Sequence, residues 1–167
     1  LSRVYAPEDF GLLNLFLSIG NVLVVLSLLD YYYAIVLPKQ ERHAVALVHV
    51  SSLALLITVV LVALSVTLAG PISALFKSPD LERYYWIMPI YVLTMGAWNI
   101  LNYWYIRHKQ FGQIGQYLMS QSILSAGGKI GMGYAGVLQG GMIYAVVVAP
   151  LLSLGTSIVR NFRGCLQ

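Results

Sequence analysis

Asp30 and Lys129 are ionisable residues that stand inside long apolar stretches of this 167-residue sequence. An ionisable group within a membrane span costs at least about 2.5–3.5 kcal/mol and normally faces a cavity, a pathway or a partner. Gln121 and Ser125 precede Lys129 at intervals of four residues, so a helix would place them on one polar stripe with it. We therefore predict that this stripe and Asp30 line a substrate-binding polar cavity. A structural ion pair, or snorkelling of Asp30 to the membrane interface, would explain the same charges without a substrate.

Some residues match patterns that are typical of covalent or cofactor chemistry, but the surrounding sequence lacks the features that such sites need. Residues 131–136 (GMGYAG) match the dinucleotide-binding pattern, but that motif needs a preceding strand and an acidic residue about 20 positions later. Here a predicted helix precedes it, and no Asp or Glu follows Glu82. His43, His49 and His108 are too scattered to form a metal site or a catalytic triad. The sequence therefore predicts a protein that is not an enzyme, with no catalytic residue, metal or cofactor.

Five long apolar runs would position the polar stripe. Hydrophobic residues make up 59% of the sequence and charged residues 10%, against about 25% charged in an ordinary soluble domain. About 20 helical residues cross the roughly 30 Å hydrocarbon core of a bilayer. We predict an all-α fold, a polytopic transmembrane helix bundle in which residues 1–167 form one transmembrane region. Its five helices are expected at about residues 10–37, 44–69, 84–106, 110–138 and 139–159.

The basic residues predict the orientation of this bundle. Lys and Arg concentrate in cytoplasmic loops. Five crossings put three of them on one side and six on the other: Arg3, Lys77 and Arg83 against Lys39, Arg42, Arg107, Lys109, Arg160 and Arg163. The N-terminal end is therefore expected outside and the C-terminal end in the cytoplasm. The net charge of +4 forms no basic face, so no nucleic-acid partner is expected.

Glycine and proline positions predict local features of the helices. The pairs Gly127/Gly131 and Gly136/Gly140 have the small-xxx-small spacing that permits close helix approach. Pro89 is expected to kink the third helix one to two turns after its start. Residues 72–77 are too short to span a membrane and are expected to lie along the external interface.

Three stretches together resemble the polysaccharide (O-antigen type) flippases of the multidrug/oligosaccharidyl-lipid/polysaccharide exporter superfamily. They are residues 5–11 (YAPEDFG), 33–39 (YAIVLPK) and 107–112 (RHKQFG). The resemblance implies a fragment covering about helices 2 to 6, part of the N-terminal lobe of a transporter of about 12 to 14 helices. Where many members have Arg-Tyr-Glu before the second stretch, residues 30–32 are Asp-Tyr-Tyr, so a role of that Arg or Glu does not transfer.

The resemblance implies a flippase for a polyprenyl-pyrophosphate-linked oligosaccharide. Such a protein moves its substrate from the cytoplasmic to the periplasmic leaflet of the bacterial inner membrane, for O-antigen or exopolysaccharide synthesis. Lys129 is the candidate to compensate the anionic pyrophosphate. Arg107 and Lys109 are candidate contacts at the cytoplasmic mouth, where topology alone would also explain them. Membrane lipids, a polysaccharide polymerase and chain-length machinery are the further partners implied.

Two other functions fit the same residues. A cation-coupled multidrug antiporter of the same superfamily would use Asp30 as its ion-binding carboxylate. A non-transporting membrane scaffold would use its glycines and asparagines for packing alone, and would tolerate neutral polar residues at Asp30 and Lys129.

Overall fold

The computed structural model describes residues 7–28, 31–75, 79–134 and 140–164 of the chain. No strand occurs in these four ranges, so the predicted all-α class is confirmed. Asp30 lies outside the described residues. The helices are α1 (Pro7–Leu28), α2 (Glu41–Ser65), α3 (Ala69–Leu75), α4 (Pro79–Tyr85), α5 (Met88–Arg107), α6 (Phe111–Tyr134) and α7 (Gly141–Gly164), with 3-10 segments at Tyr31–Val36 and Val66–Leu68.

Several helix boundaries differ from those predicted. The first helix does not continue to residue 37, because α1 ends at Leu28 and a separate 3-10 segment follows at Tyr31–Val36. The predicted helix at 84–106 is divided between α4 and α5. Pro89 is consequently in the first turn of α5 and does not kink it. Proline is tolerated there because the N–H groups of the first turn have no partner within the helix.

Helix α5 lies at the centre of the bundle, in contact with α1, α2, α6 and α7. Tyr91, Trp98 and Tyr105 recur every seven residues along it and therefore share a face. All three are buried, with at most 7% of each residue exposed. This aromatic stripe gives α5 much of its packing surface against the neighbouring helices.

Glycines let α1 and α2 approach α5 closely. A Cβ atom on Gly20 of α1 would lie 2.5 Å from Cε1 of Tyr91. The Tyr91 hydroxyl also donates a 2.9 Å hydrogen bond to Oδ1 of Asn21. On the other side, a Cβ atom on Gly96 of α5 would collide with the side chain of Leu55 on α2. The α1–α5 and α2–α5 contacts thus depend on two glycines for which the sequence predicted no packing role.

Of the four glycines predicted to permit close helix approach, Gly140 does so, whereas Gly127 and Gly131 do not. Gly127 and Gly131 would have nothing within 4 Å of an added Cβ, whereas a Cβ on Gly128 would lie 3.2 Å from Cβ of Ala145 on α7. Each residue turns a helix by about 100°, so the neighbouring glycine faces α7 instead. Gly136 lies outside the described residues. Gly140 has φ +77° and would place a Cβ against the Tyr84 ring.

The exposed faces of α1 and α2 indicate a membrane environment. In the described part of the chain, two helical segments are long and apolar enough to cross a bilayer, Glu8–Ser27 and Glu41–Ser73, and Gly141–Ser157 is apolar but shorter. Only 28% and 17% of the apolar windows of these two segments are buried, whereas a core helix of a soluble protein would be mostly buried. On α2, six large apolar residues are more than half exposed: Leu53, Leu56, Ile57, Val60, Leu61 and Leu64. Length and hydropathy therefore support two of the predicted spans, and the number five is not confirmed.

Candidate functional site

A basic pocket of about 490 Å³ lies where the end of α5 meets the start of α2. Its lining residues are Val36, Lys39, Glu41, Ile106, Arg107, His108 and Lys109. Among these described residues three carry a positive charge and one carries a carboxylate, with histidine counted as neutral. The pocket is therefore suited to an anionic ligand.

The 3-10 segment that carries one wall of the pocket is held by aromatic packing. Ile35 is fully buried and Tyr32 is 6% exposed. The Tyr32 ring packs edge-on against Tyr103 of α5, with ring centroids 5.1 Å apart. This contact fixes the segment against α5 and places Val36, and after it Lys39, beside the end of that helix.

Arg107 joins the two walls of the pocket. Its Nη1 donates hydrogen bonds to the carbonyl oxygens of Ile35 at 3.0 Å and Pro38 at 2.8 Å, with a longer contact of 3.5 Å to Val36. Carbonyl groups at the end of a helical segment have no partner within it. Arg107 satisfies that of Ile35 from a different helix, and it also binds the Pro38 carbonyl, two residues beyond the segment. Its first role in the pocket is thus to position the chain that carries Lys39.

The turn after α5 exposes Lys109. This residue has φ 55°, the left-handed conformation that glycine usually occupies. The Lys109 N–H donates to the Ile106 carbonyl at 3.0 Å, and the Gln110 N–H donates to the Tyr105 carbonyl at 2.9 Å. These two bonds are those of the Schellman motif that ends many helices. The motif turns the chain sharply, so that Lys109 lines the pocket and α6 begins at Phe111.

His108 connects the pocket to α2. Its Nε2 lies 3.7 Å from Oε1 of Glu41, and its Nδ1 lies 3.0 Å from the Trp104 carbonyl oxygen. The His108 ring also packs on the Trp104 ring, with centroids 4.4 Å apart. The start of α2 therefore lies beside the end of α5, and the two helices run antiparallel.

The candidate residues of the polar stripe do not line the basic pocket. Gln121, Ser125 and Lys129 are half-buried on α6, one helical turn apart. About 27 Å of helix rise separates Phe111 from Lys129. Of the predicted site residues, the structure brings Arg107 and Lys109 together and leaves Lys129 at the far end of α6.

Sequence reasoning missed Lys39 and Glu41 as members of the pocket. Lys39 was counted only for membrane topology, and Glu41, the first residue of α2, was interpreted only as a turn or cap residue. The family resemblance had already singled out residues 33–39 and 107–112. That both stretches carry the resemblance was the available signal that they lie close together in the fold.

The fold and the pocket define a class of protein: an all-helical, membrane-associated chain with a site suited to an anionic ligand. Residues 1–163 match the family described as polysaccharide biosynthesis protein, so the chain belongs to that family. The predicted resemblance to the polysaccharide flippase family is thereby confirmed. No curated protein and no solved structure matches the chain.

Proposed function

We propose that this chain is part of a transporter that flips a polyprenyl-pyrophosphate-linked oligosaccharide across the bacterial cytoplasmic membrane. The polysaccharide biosynthesis family and the exposed apolar helices support this assignment. The observation that carries it is the basic pocket, because its positive charges complement the pyrophosphate of such a lipid.

The charges of the pocket favour this substrate over a cationic drug. Two unit charges 4 Å apart attract by about 1 kcal/mol in water and by about 4 kcal/mol at the effective dielectric constant of a protein surface. Lys39, Arg107 and Lys109 would each add such a term for a phosphate and oppose a cation. The multidrug antiporter alternative depends on Asp30, which lies outside the described residues.

The distribution of Lys and Arg supports an orientation with the pocket on the cytoplasmic side. The substrate would enter there, leave from the periplasmic leaflet and pass to a polysaccharide polymerase and its chain-length machinery. Transport proceeds by alternating access and makes or breaks no covalent bond. Lys129 is too far along α6 to meet a phosphate in the pocket, so we assign it to a later step, in which the phosphate lies deeper in the membrane.

The test is a deletion strain complemented with the full-length protein. Deletion is expected to remove surface polysaccharide and to leave lipid-linked oligosaccharide facing the cytoplasm. A Lys39→Gln/Lys109→Asn double variant is expected to restore little polysaccharide, since asparagine tolerates the left-handed turn while lacking the charge. Arg42→Gln is the matched control, because Arg42 lies three residues after Lys39, in the first turn of α2, and does not line the pocket. An intact glycan coat with altered drug sensitivity in the deletion strain would overturn the proposal.

A further inference from the structure

An apolar groove runs along the junction of α2 and α5. Its first part has a volume of about 170 Å³ and is lined by Val45, Val48, Ile100, Leu101 and Trp104. Its second part has a volume of about 320 Å³ and is lined by Val48, Ser52, Leu55, Leu56, Leu93, Ala97, Ile100 and Leu101. The two parts share Val48, Ile100 and Leu101, so they form one continuous α2–α5 groove.

The groove starts at the basic pocket. Glu41 lines the pocket and Val45, one turn further along α2, lines the groove. On α5, His108 lines the pocket and Trp104, one turn earlier, lines the groove. The contact of 3.7 Å between Glu41 and His108 lies at this junction. A charged site and an apolar channel therefore meet end to end.

We propose that the α2–α5 groove holds the polyprenyl chain of a lipid whose pyrophosphate occupies the basic pocket. This inference rests on the proposed function and adds the path of the lipid chain. Charge complementarity fixes the head of the ligand at Lys39, Arg107 and Lys109. A single acidic side chain, Glu41, opposes these cations among the described lining residues.

The charge of the site favours a polyprenyl pyrophosphate over an ordinary phospholipid. Three basic residues exceed what the single negative charge of a phosphodiester requires. From Val45 to Leu56 the groove extends for about 17 Å along α2, close to the thickness of one leaflet, about half of the roughly 30 Å hydrocarbon core. The groove therefore holds the part of the polyprenyl chain that lies between the pocket and the bilayer midplane.

The groove contributes more to selectivity for a long-chain ligand than to the affinity of binding. Lipid tails are as apolar as the side chains that line the groove, so moving a chain from the bilayer into it brings little hydrophobic gain. The gain comes from close packing and from holding the chain in line with the bound head group. Blocking the groove should accordingly weaken binding of the long-chain ligand and leave binding of a free pyrophosphate unchanged.

The test uses the full-length protein in nanodiscs of phosphatidylcholine. Ser52→Trp fills the groove from an exposed position on α2, and Leu53→Trp is the matched control on the outward face beside it. Ser52→Trp is expected to weaken binding of a polyprenyl pyrophosphate by roughly tenfold, with inorganic pyrophosphate bound as by the unaltered protein. A photoreactive group on the polyprenyl chain about 22 Å from the pyrophosphate is expected to label the residues around Leu56 and Leu93.

Three other outcomes would each reject one step: the groove, its polyprenyl occupant or the proposed function. Equal binding by both tryptophan variants, or labelling confined to other helices, would overturn the groove while leaving the transport function standing. Equally strong competition by phosphatidylglycerol would reject the polyprenyl chain as its occupant. Failure of the unaltered protein to bind a polyprenyl pyrophosphate, together with intact surface glycan in the deletion strain, would instead reject the proposed function.

Discussion

Replacing Lys109 by glycine separates the charge of the basic pocket from the shape of its wall. Lys109 is in the left-handed conformation with φ 55°. Its N–H and that of Gln110 make the two hydrogen bonds that end α5. Glycine is the residue most often found at this position of a Schellman motif, so the turn should survive the substitution while the ammonium group is lost.

The structure predicts that Lys109→Gly stabilises the fold and weakens binding of the ligand. A left-handed conformation costs a residue with a side chain roughly 1–2 kcal/mol, and glycine loses about 0.5–1 kcal/mol through its greater freedom in the unfolded chain. Lys109→Gly should therefore stabilise the fold by about 0.5–1 kcal/mol. Removing one charge from a phosphate about 4 Å away costs about 1 kcal/mol at a water-like dielectric constant, which weakens binding roughly fivefold.

Thermal unfolding of the full-length protein in nanodiscs, and titration with a polyprenyl pyrophosphate, measure the two effects separately. Lys109→Val is expected to unfold at a lower temperature than Lys109→Gly, because a β-branched residue is strained at positive φ. Arg42→Gln is expected to leave binding unchanged. Lower stability of the glycine variant than of the valine variant would refute the reasoning about the turn. Unchanged affinity of the glycine variant would refute the assignment of the pocket.

Three further substitutions test other parts of the structure. Arg107→Ala leaves the Ile35 and Pro38 carbonyls without their charged donor and should cost about 2–4 kcal/mol of stability, measured as a lower unfolding temperature; a stability equal to that of the unaltered protein would contradict this role. Gly140→Ala combines positive φ with a collision against Tyr84 and should cost at least about 1–2 kcal/mol, so equal expression and unfolding temperature would argue against the described α7 start. Lys129→Ala should abolish surface polysaccharide with the same amount of protein in the membrane, and normal polysaccharide in that variant would remove Lys129 from the transport path.

The helical class and the family could be predicted from local sequence, whereas the contacts between helices could not. Apolar runs of spanning length and the stretches 33–39 and 107–112 are properties of neighbouring residues. The choice of Gly128 over Gly127 as the contact with α7 depends on how α6 is rotated, and one residue changes that direction by about 100°. The spacing of glycines permits close packing without specifying which face is packed.

In the candidate site, too, some residues could be predicted from the sequence, whereas their arrangement could not. The sequence singled out Arg107 and Lys109 as cations beside a predicted turn, and the structure places both in the pocket. Local sequence did not show that Glu41 and Lys39 line the same pocket as these two cations, because that depends on the antiparallel packing of α2 against α5. Lys129 illustrates the converse: its charge in an apolar run was evident, while its separation from the pocket follows from the length of α6.

The sequence by itself determined that this protein is all-helical, rich in apolar segments and a member of a polysaccharide biosynthesis family. These conclusions follow from composition, from the length of the apolar runs and from short stretches of adjacent residues. Only the tertiary structure decided that the chain forms a basic pocket continuous with an apolar groove. The physical reason is that Arg107 bonds to carbonyl groups about 70 residues earlier in the chain, and such a contact arises only when helices distant in sequence pack together.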